Sequence, residues 1–156
     1  TVMFKSPTCT ERDRRTAGRM ARIANVSLDE LGREIFSASS GHRTAEELFG
    51  TDYKQFHIAG HDLGVAQITC VDSPVMLERK DEFLAIMRQR MKKEGLDMII
   101  LMLTDVLLEG TQLIYVGDDD TIQQAFNLMP KDQTVFLPRV MSRKKQVIPM
   151  LSALWG

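Results

Sequence analysis

The sequence predicts an α/β domain in which helices cover both faces of a mixed β-sheet. Residues 98–103 (MIILML) are apolar at six consecutive positions, which is typical of a central strand buried on both sides. The first third of the chain repeats a Ser/Thr-x-x-Asp/Glu pattern that marks the start of a helix. Farther along the chain apolar and polar residues alternate, which indicates strands. Helices and strands are therefore both expected in one fold.

Three helix starts are predicted before residue 50. In each, a Thr or Ser caps the helix and an acidic residue follows three positions later; the pairs are Thr10 with Asp13, Ser27 with Glu30, and Thr44 with Glu47. A β-hairpin should follow them. Apolar residues stand at every second position, at Phe56 and Ile58, before a turn at residues 59–62. Leu63 and Val65 continue this alternation beyond the turn.

The longest helix is predicted to begin at Ser73, as its N-cap, with Pro74 at the first helical position. Its apolar stripe continues until Gly95, so we expect one continuous helix. After the central strand come a strand at 113–116, an acidic turn at 118–120 that starts a short helix, and a last strand at 134–137. A final helix should begin at Ser142, with Val147 and Leu151 on its buried face.

Composition limits the class of protein. The 156 residues are 44% hydrophobic and 26% charged with a net charge of −1, which indicates one ordinary globular domain over residues 1–156. There is no domain-wide basic excess, so nucleic-acid binding is not expected. No apolar run approaches the roughly 20 residues of a membrane span, and there is no signal-peptide pattern. We therefore expect no membrane association and a cytoplasmic location.

The cysteines and histidines do not form an evident metal site. Cys9 and Cys70 cannot make a CxxC pair, and buried reduced thiols are expected. His57 and His61 are spaced as metal ligands would be on a helix, but the predicted hairpin places them across a turn. We therefore expect this chain to hold no metal.

The most informative stretch is the tail, where three adjacent cations, Arg143, Lys144 and Lys145, follow the predicted cap Ser142. A helix N-terminus is already electropositive and disfavours cations. An oxyanion such as phosphate would turn that repulsion into a binding site. A solvated basic turn is the other reading of these residues.

Several segments together resemble one family in order and spacing. They are Phe4-Lys5-Ser6-Pro7-Thr8-Cys9-Thr10, Arg43-Thr44-Ala45-Glu46-Glu47-Leu48, Asp52-Tyr53-Lys54-Gln55-Phe56, Ala66-Gln67-Ile68, Thr104-Asp105-Val106 and Ser142-Arg143-Lys144-Lys145-Gln146-Val147. They resemble the C-terminal domain, called DHHA2, of the manganese-dependent (family II) inorganic pyrophosphatases. The resemblance covers essentially the whole chain.

The resemblance implies a hydrolase that splits pyrophosphate into two phosphates. The chain would be one DHHA2 domain of a larger protein whose N-terminal DHH domain, absent here, holds Mn²⁺, with Mg²⁺ accompanying the substrate. It also implies that Lys54, Arg143 and Lys144 clamp the phosphoryl groups, that the isolated domain is inactive, and that the full-length protein is a homodimer.

Two alternatives remain open from the sequence. One alternative to a pyrophosphatase domain is a stand-alone phosphate-binding regulatory module. The other is part of a related phosphoesterase acting on polyphosphate or a nucleotide. A base-stacking aromatic next to Arg143 would favour a nucleotide, and the tail region offers Phe136 and Trp155.

Overall fold

The computed structural model describes residues 10–12, 14–17 and 43–156. The predictions at Asp13, at Ser27 with Glu30, and at Cys9 lie outside the described residues. Thr10 immediately precedes helical residues, and its carbonyl accepts a hydrogen bond from the N–H of Arg14 at 3.3 Å. Among the described helices, none combines the length and apolar character needed to cross a membrane.

In the part of the chain that the structure describes, five strands form a single sheet, and each strand pairs with its neighbour in the chain. They are β1 (Tyr53–Ile58), β2 (His61–Cys70), β3 (Met98–Asp105), β4 (Gly110–Val116) and β5 (Thr134–Pro138). The β2–β3 pair is parallel and the other three pairs are antiparallel. The sheet is therefore mixed, as the sequence predicted, with the fully buried β3 at its centre.

The helices within residues 43–156 divide between the two faces of the sheet. They are α1 (Ala45–Thr51), α2 (Ser73–Leu77), α3 (Lys80–Glu94), α4 (Asp119–Phe126) and α5 (Ile148–Trp155), and a π-helical turn (Arg143–Val147) precedes α5. One apolar core lies between the sheet and α1–α3, and a second lies between the other face and α4, the π-helical turn and α5. The prediction of helices on both faces is confirmed.

Local signals account for several of these elements. Thr44 and Glu47 form the expected capping box at the start of α1. The β1–β2 turn lies at Ala59 and Gly60, which both have positive φ (49° and 85°), as a two-residue hairpin turn requires. His61, predicted to lie in the turn, is instead the first residue of β2.

The prediction of one helix from Ser73 to Gly95 was wrong. Two helices occur, because residues 78–79 form a turn between α2 and α3. The N-cap is Asp72, whose carboxylate accepts a hydrogen bond from the N–H of Val75 at 3.3 Å, and Ser73 is the first helical residue. The predicted end was correct, since Gly95 closes α3 in the left-handed conformation.

The tail also differs from the prediction. Ser142 is a cap as expected, and its hydroxyl accepts from the N–H of Lys145 at 3.2 Å. However, the first turn is π-helical, and the α-helix begins only at Ile148. Pro149 accounts for this, because in a continuous α-helix its ring would clash with the carbonyl of Lys145. The wider turn accommodates the ring.

Candidate functional site

The face of the sheet that carries α5 becomes polar at one end. Leu63 and Val65 line the apolar part of β2, and Gln67 follows them on the same face. Thr104 on β3 and Thr111 on β4 stand beside it, and their hydroxyls are hydrogen-bonded at 3.1 Å. We call Gln67, Thr104 and Thr111 the polar end of the sheet.

The polar end holds the segment that leads into the cationic tail. The Nε2 of Gln67 donates to Thr104 Oγ1 at 3.0 Å and to the carbonyl of Met141 at 3.2 Å. The hydroxyl of Thr111 donates to the carbonyl of Val140. These side chains therefore fix the backbone just before Ser142.

Gln146 completes the attachment from within the tail. Its Oε1 accepts from the N–H groups of Met141 and Ser142 at 2.8 and 3.0 Å, and its Nε2 donates to the carbonyl of Arg139 at 2.9 Å. Arg139 has a positive φ of 61°. The Gln146 side chain thus stabilises the tight turn at residues 139–142 and positions Arg143, which follows Ser142.

Arg143 lies against the sheet rather than in solvent, since its side chain is only 7% exposed. Its Nη1 donates to the carbonyls of Asp52 and Val65 at 2.8 and 3.1 Å. Its Nη2 donates to the Asp52 carboxylate at 2.7 Å, and this carboxylate is 44% exposed. The guanidinium therefore connects the tail to the start of β1 and to β2.

Lys54 is brought to the same place by the register of the sheet. It pairs across the hairpin with Val65, whose carbonyl accepts from Arg143. Tyr53 packs with the first core and Phe56 with the second, so strand alternation places Lys54 on the face that carries the tail. Lys54 and Lys144 are both exposed. The structure thus places Lys54 and Arg143 on one face, with Lys144 next to Arg143 in the chain.

The opposite face anchors the start of β1. The hydroxyl of Tyr53 donates to the carboxylate of Glu94, and the guanidinium of Arg90 lies 4.7 Å from the centre of the Tyr53 ring. Burial, and then the hydrogen bond to Glu94, raise the pKa of the Tyr53 hydroxyl. Tyr53 is therefore a fixed, neutral anchor beside Lys54.

Other features of the described residues do not coincide with this site. A surface cleft on the side of the first core contains none of the predicted site residues; it is lined by Glu46, Ile86, Gln89, Arg90, Lys93 and Glu94. No group of three His, Cys, Asp or Glu side chains among the described residues could hold a metal ion. His57 instead pairs with Asp62 at 2.7 Å, and His61 stacks on Trp155.

Sequence reasoning assigned no role to Asp52, Gln67, Thr104 or Gln146. All four lie inside the short segments that carry the family resemblance. That resemblance was the available signal for Asp52, Gln67 and Thr104, because their contacts join parts of the chain that are distant in sequence. The contacts of Gln146 are local, within seven residues.

Comparison with known proteins gives consistent matches. The model of the family described as "DHHA2 domain" matches residues 33–154. A manganese-dependent inorganic pyrophosphatase from Methanocaldococcus jannaschii is 38% identical over 100% of this chain and 52% of its own length. A cobalt-dependent inorganic pyrophosphatase from Clostridium perfringens is 40% identical over 99% of this chain and 29% of its own length.

A solved structure agrees with these matches. The crystal structure of a Methanococcus jannaschii protein assigned to the family II inorganic pyrophosphatases superimposes with a TM-score of 0.80 at 36% identity, covering 99% of this chain and 52% of that one. The chain spans about half the length or less of the relatives described here. With a family model that matches most of its length and a superimposable relative, the chain belongs to the DHHA2 domain family.

Proposed function

We propose that this chain is the substrate-binding domain of an inorganic pyrophosphatase and that Lys54, Arg143 and Lys144 bind the phosphoryl groups of pyrophosphate. One observation carries the proposal: Lys54 and Arg143 share one face of the sheet, beside its polar end, in a chain whose relatives are named inorganic pyrophosphatases. Lys144 adds an exposed cation next to Arg143.

The chemistry explains why cations of these types are needed. Hydrolysis of pyrophosphate builds negative charge on the leaving phosphate and on the oxygens of the attacked phosphorus. Fixed positive groups stabilise that charge without having to reorganise during the reaction. A planar guanidinium orients a phosphoryl group, whereas each ammonium group adds a compact charge. The proposed work of this chain is therefore to bind and orient the substrate.

The described residues do not fit the Mn²⁺ that the relatives' names imply, because they contain no cluster of metal ligands. In the proposal, an N-terminal DHH domain of the same protein holds Mn²⁺, and Mg²⁺ accompanies the substrate. The full-length protein would be a cytoplasmic homodimer. The 156-residue chain alone would bind pyrophosphate without hydrolysing it.

The positions of Trp155 and Phe136 do not favour a nucleotide. Trp155 stacks on His61 with ring centroids 4.4 Å apart, at the hairpin end of β2. Val135 and Leu137 belong to the second core, so Phe136 between them projects to the other face of the sheet. Neither aromatic lies beside Arg143, which supports pyrophosphate over a base-containing substrate.

Calorimetric titration of the chain with pyrophosphate tests the proposal. We expect Lys54→Ala and Lys144→Ala each to weaken binding by roughly 1.5–3 kcal/mol, the usual contribution of a charge-assisted hydrogen bond. Lys131→Ala is the matched control, since Lys131 is also exposed but lies before β5. Affinities of the Lys54 and Lys144 variants within twofold of the control would refute the assignment. Release of phosphate by the chain alone would contradict its proposed lack of hydrolysis.

A further inference from the structure

The hydrogen bonds of Arg143 determine which of its donors remain for a ligand. A guanidinium has five N–H donors: two on Nη1, two on Nη2 and one on Nε. Both Nη1 donors are used by the carbonyls of Asp52 and Val65. One Nη2 donor is used by the Asp52 carboxylate. One donor on Nη2 and the donor on Nε have no partner among the described residues.

These two donors lie on the same edge of the guanidinium. Asp52 receives bonds from both terminal nitrogens, through its carbonyl on Nη1 and its carboxylate on Nη2, so it lies across the end of the planar group. The second Nη2 donor then points in the same direction as the Nε donor. Two parallel N–H groups on one edge match two oxygens of a phosphoryl group.

We propose that Asp52 is a positioning residue, which holds the Arg143 guanidinium so that its Nε–Nη2 edge receives a phosphoryl group. This inference rests on the proposed function. Asp52 itself does not contact the substrate. It acts through Arg143, and it is well placed to do so because the Asp52 carbonyl is also fixed by the N–H of Gln67 at 3.0 Å.

The contacts of Arg143 with Asp52 and Val65 favour ligand binding because they hold the arginine side chain rigid. An arginine side chain loses considerable rotamer freedom when a ligand orders it. In this chain Asp52 and Val65 have already ordered it, so that loss does not oppose ligand binding.

A simple charge argument predicts the opposite effect. Asp52 carries a negative charge near a site for an anion, so its removal should tighten pyrophosphate binding if charge alone mattered. If Asp52 positions Arg143, its removal should weaken binding, although the site then becomes more positive. The sign of the change therefore separates the two explanations.

The experiment compares Asp52→Ala, Asp52→Asn and Arg143→Ala in the 156-residue chain, with pyrophosphate as the probe in calorimetry. Asp62→Ala is the matched control, because the Asp62 carboxylate also makes a 2.7 Å side-chain hydrogen bond, to His57, on the same hairpin but at its opposite end. Thermal unfolding checks that each variant is folded. The NMR signal of the Arg143 Nη2–H group, which donates to the Asp52 carboxylate, reports directly whether the guanidinium is held.

We expect Asp52→Ala to weaken pyrophosphate binding about tenfold and to lose the slowly exchanging signal of the Arg143 Nη2–H group that bonds the Asp52 carboxylate. Asp52→Asn should keep most of the wild-type affinity for pyrophosphate and most of the NMR signal, because its amide oxygen still accepts from Nη2. Asp52→Ala should have no further effect in an Arg143→Ala background. Asp62→Ala should bind like the wild type.

The outcomes distinguish the two proposals. If Arg143→Ala abolishes binding while Asp52→Ala tightens it or leaves it unchanged, the positioning role is overturned and the proposed function stands. If Arg143→Ala binds pyrophosphate like the wild type, no phosphoryl group uses this edge, and both proposals fail.

Discussion

The carboxylate of Asp105, at the end of β3, accepts a hydrogen bond from the backbone N–H of Ser73 at the start of α2, at 2.8 Å. Its other oxygen accepts from the N–H groups of Leu107 and Leu108, both at 2.9 Å. Asp105 is 1% exposed, so these three bonds replace its lost hydration. One buried side chain thus connects a strand, the following hairpin turn and a helix.

We expect Asp105→Asn to destabilise the fold. The amide group turns one acceptor into a donor facing a backbone N–H, and a buried donor left without a partner costs roughly 1–3 kcal/mol. Urea unfolding measures the loss. Asp97→Asn is the control, because Asp97 is exposed and accepts from the N–H of Asp62 at 2.7 Å. An equal loss in the control would show that burial of Asp105 is not the cause.

Two glycines should respond to alanine with opposite signs. A Cβ on Gly64 would lie 2.5 Å from the Tyr53 hydroxyl and 2.9 Å from Leu96, so Tyr53 would have to move away from Glu94. We expect Gly64→Ala to cost about 1–3 kcal/mol, as overpacking usually does.

The matched substitution is Gly50→Ala in α1. A Cβ there meets nothing within 4 Å, and alanine is favoured over glycine in a helix by roughly 0.8–1 kcal/mol. Its unfolding midpoint in urea should therefore rise while that of Gly64→Ala falls. A fall in the midpoint of Gly50→Ala would contradict the open space at that position, and an unchanged or raised midpoint of Gly64→Ala would contradict the packing described around Tyr53.

Gln146→Leu should loosen the turn that precedes Arg143. The substitution removes the acceptor shared by the N–H groups of Met141 and Ser142. We expect these two amides to exchange hydrogen for deuterium at least tenfold faster. Gln123→Leu, on the exposed side of α4, is the control. Unchanged exchange at Met141 and Ser142 would show that other contacts hold the turn.

Cys70 should be unreactive in the folded chain. Burial, and then the charge of Asp105, raise the pKa of its thiol to about 12. At pH 8 this pKa leaves a thiolate fraction on the order of one in ten thousand. In a Cys9→Ser background, iodoacetamide should therefore modify Cys70 only on unfolding, as followed by mass spectrometry. Rapid modification of the folded chain would contradict the described burial.

The same pKa shift predicts a loss of stability in alkali. Above its ordinary pKa of 9.0, the unfolded thiol ionises while the folded thiol keeps its proton up to a pKa of about 12. The unfolded chain then binds fewer protons, so the free energy of unfolding falls as pH rises between these values. The slope should be shallower in Cys70→Ala, and equal slopes would refute this origin.

The sheet was largely predictable because its signals are local. Six consecutive apolar residues identify β3, and the alternation around the Ala59–Gly60 turn identifies the first hairpin. The break between α2 and α3 was not visible, since Leu77 and Leu84 keep a helical spacing across the two-residue turn. Ser73 was mistaken for the cap because the preceding Asp72 has a carboxylate that serves equally well.

The site was predictable only in part. The cationic tail is evident in the sequence, but the partner of Arg143 is Asp52, 91 positions away. No local spacing relates these two residues, because their contact depends on the register of β1 with β2 and on the turn before Ser142. The burial of Arg143 follows from that long-range contact.

The agreement between strand order and chain order has a consequence for biosynthesis. Each strand after β1 pairs with the strand that left the ribosome just before it, so its template is already present when it emerges. The pairing that spans most sequence, β2 with β3, encloses α2 and α3, which can form while the ribosome is still making β3. Nascent chains stalled at a length at which β4 has fully emerged from the ribosome should therefore already contain β1 to β4 in their final register.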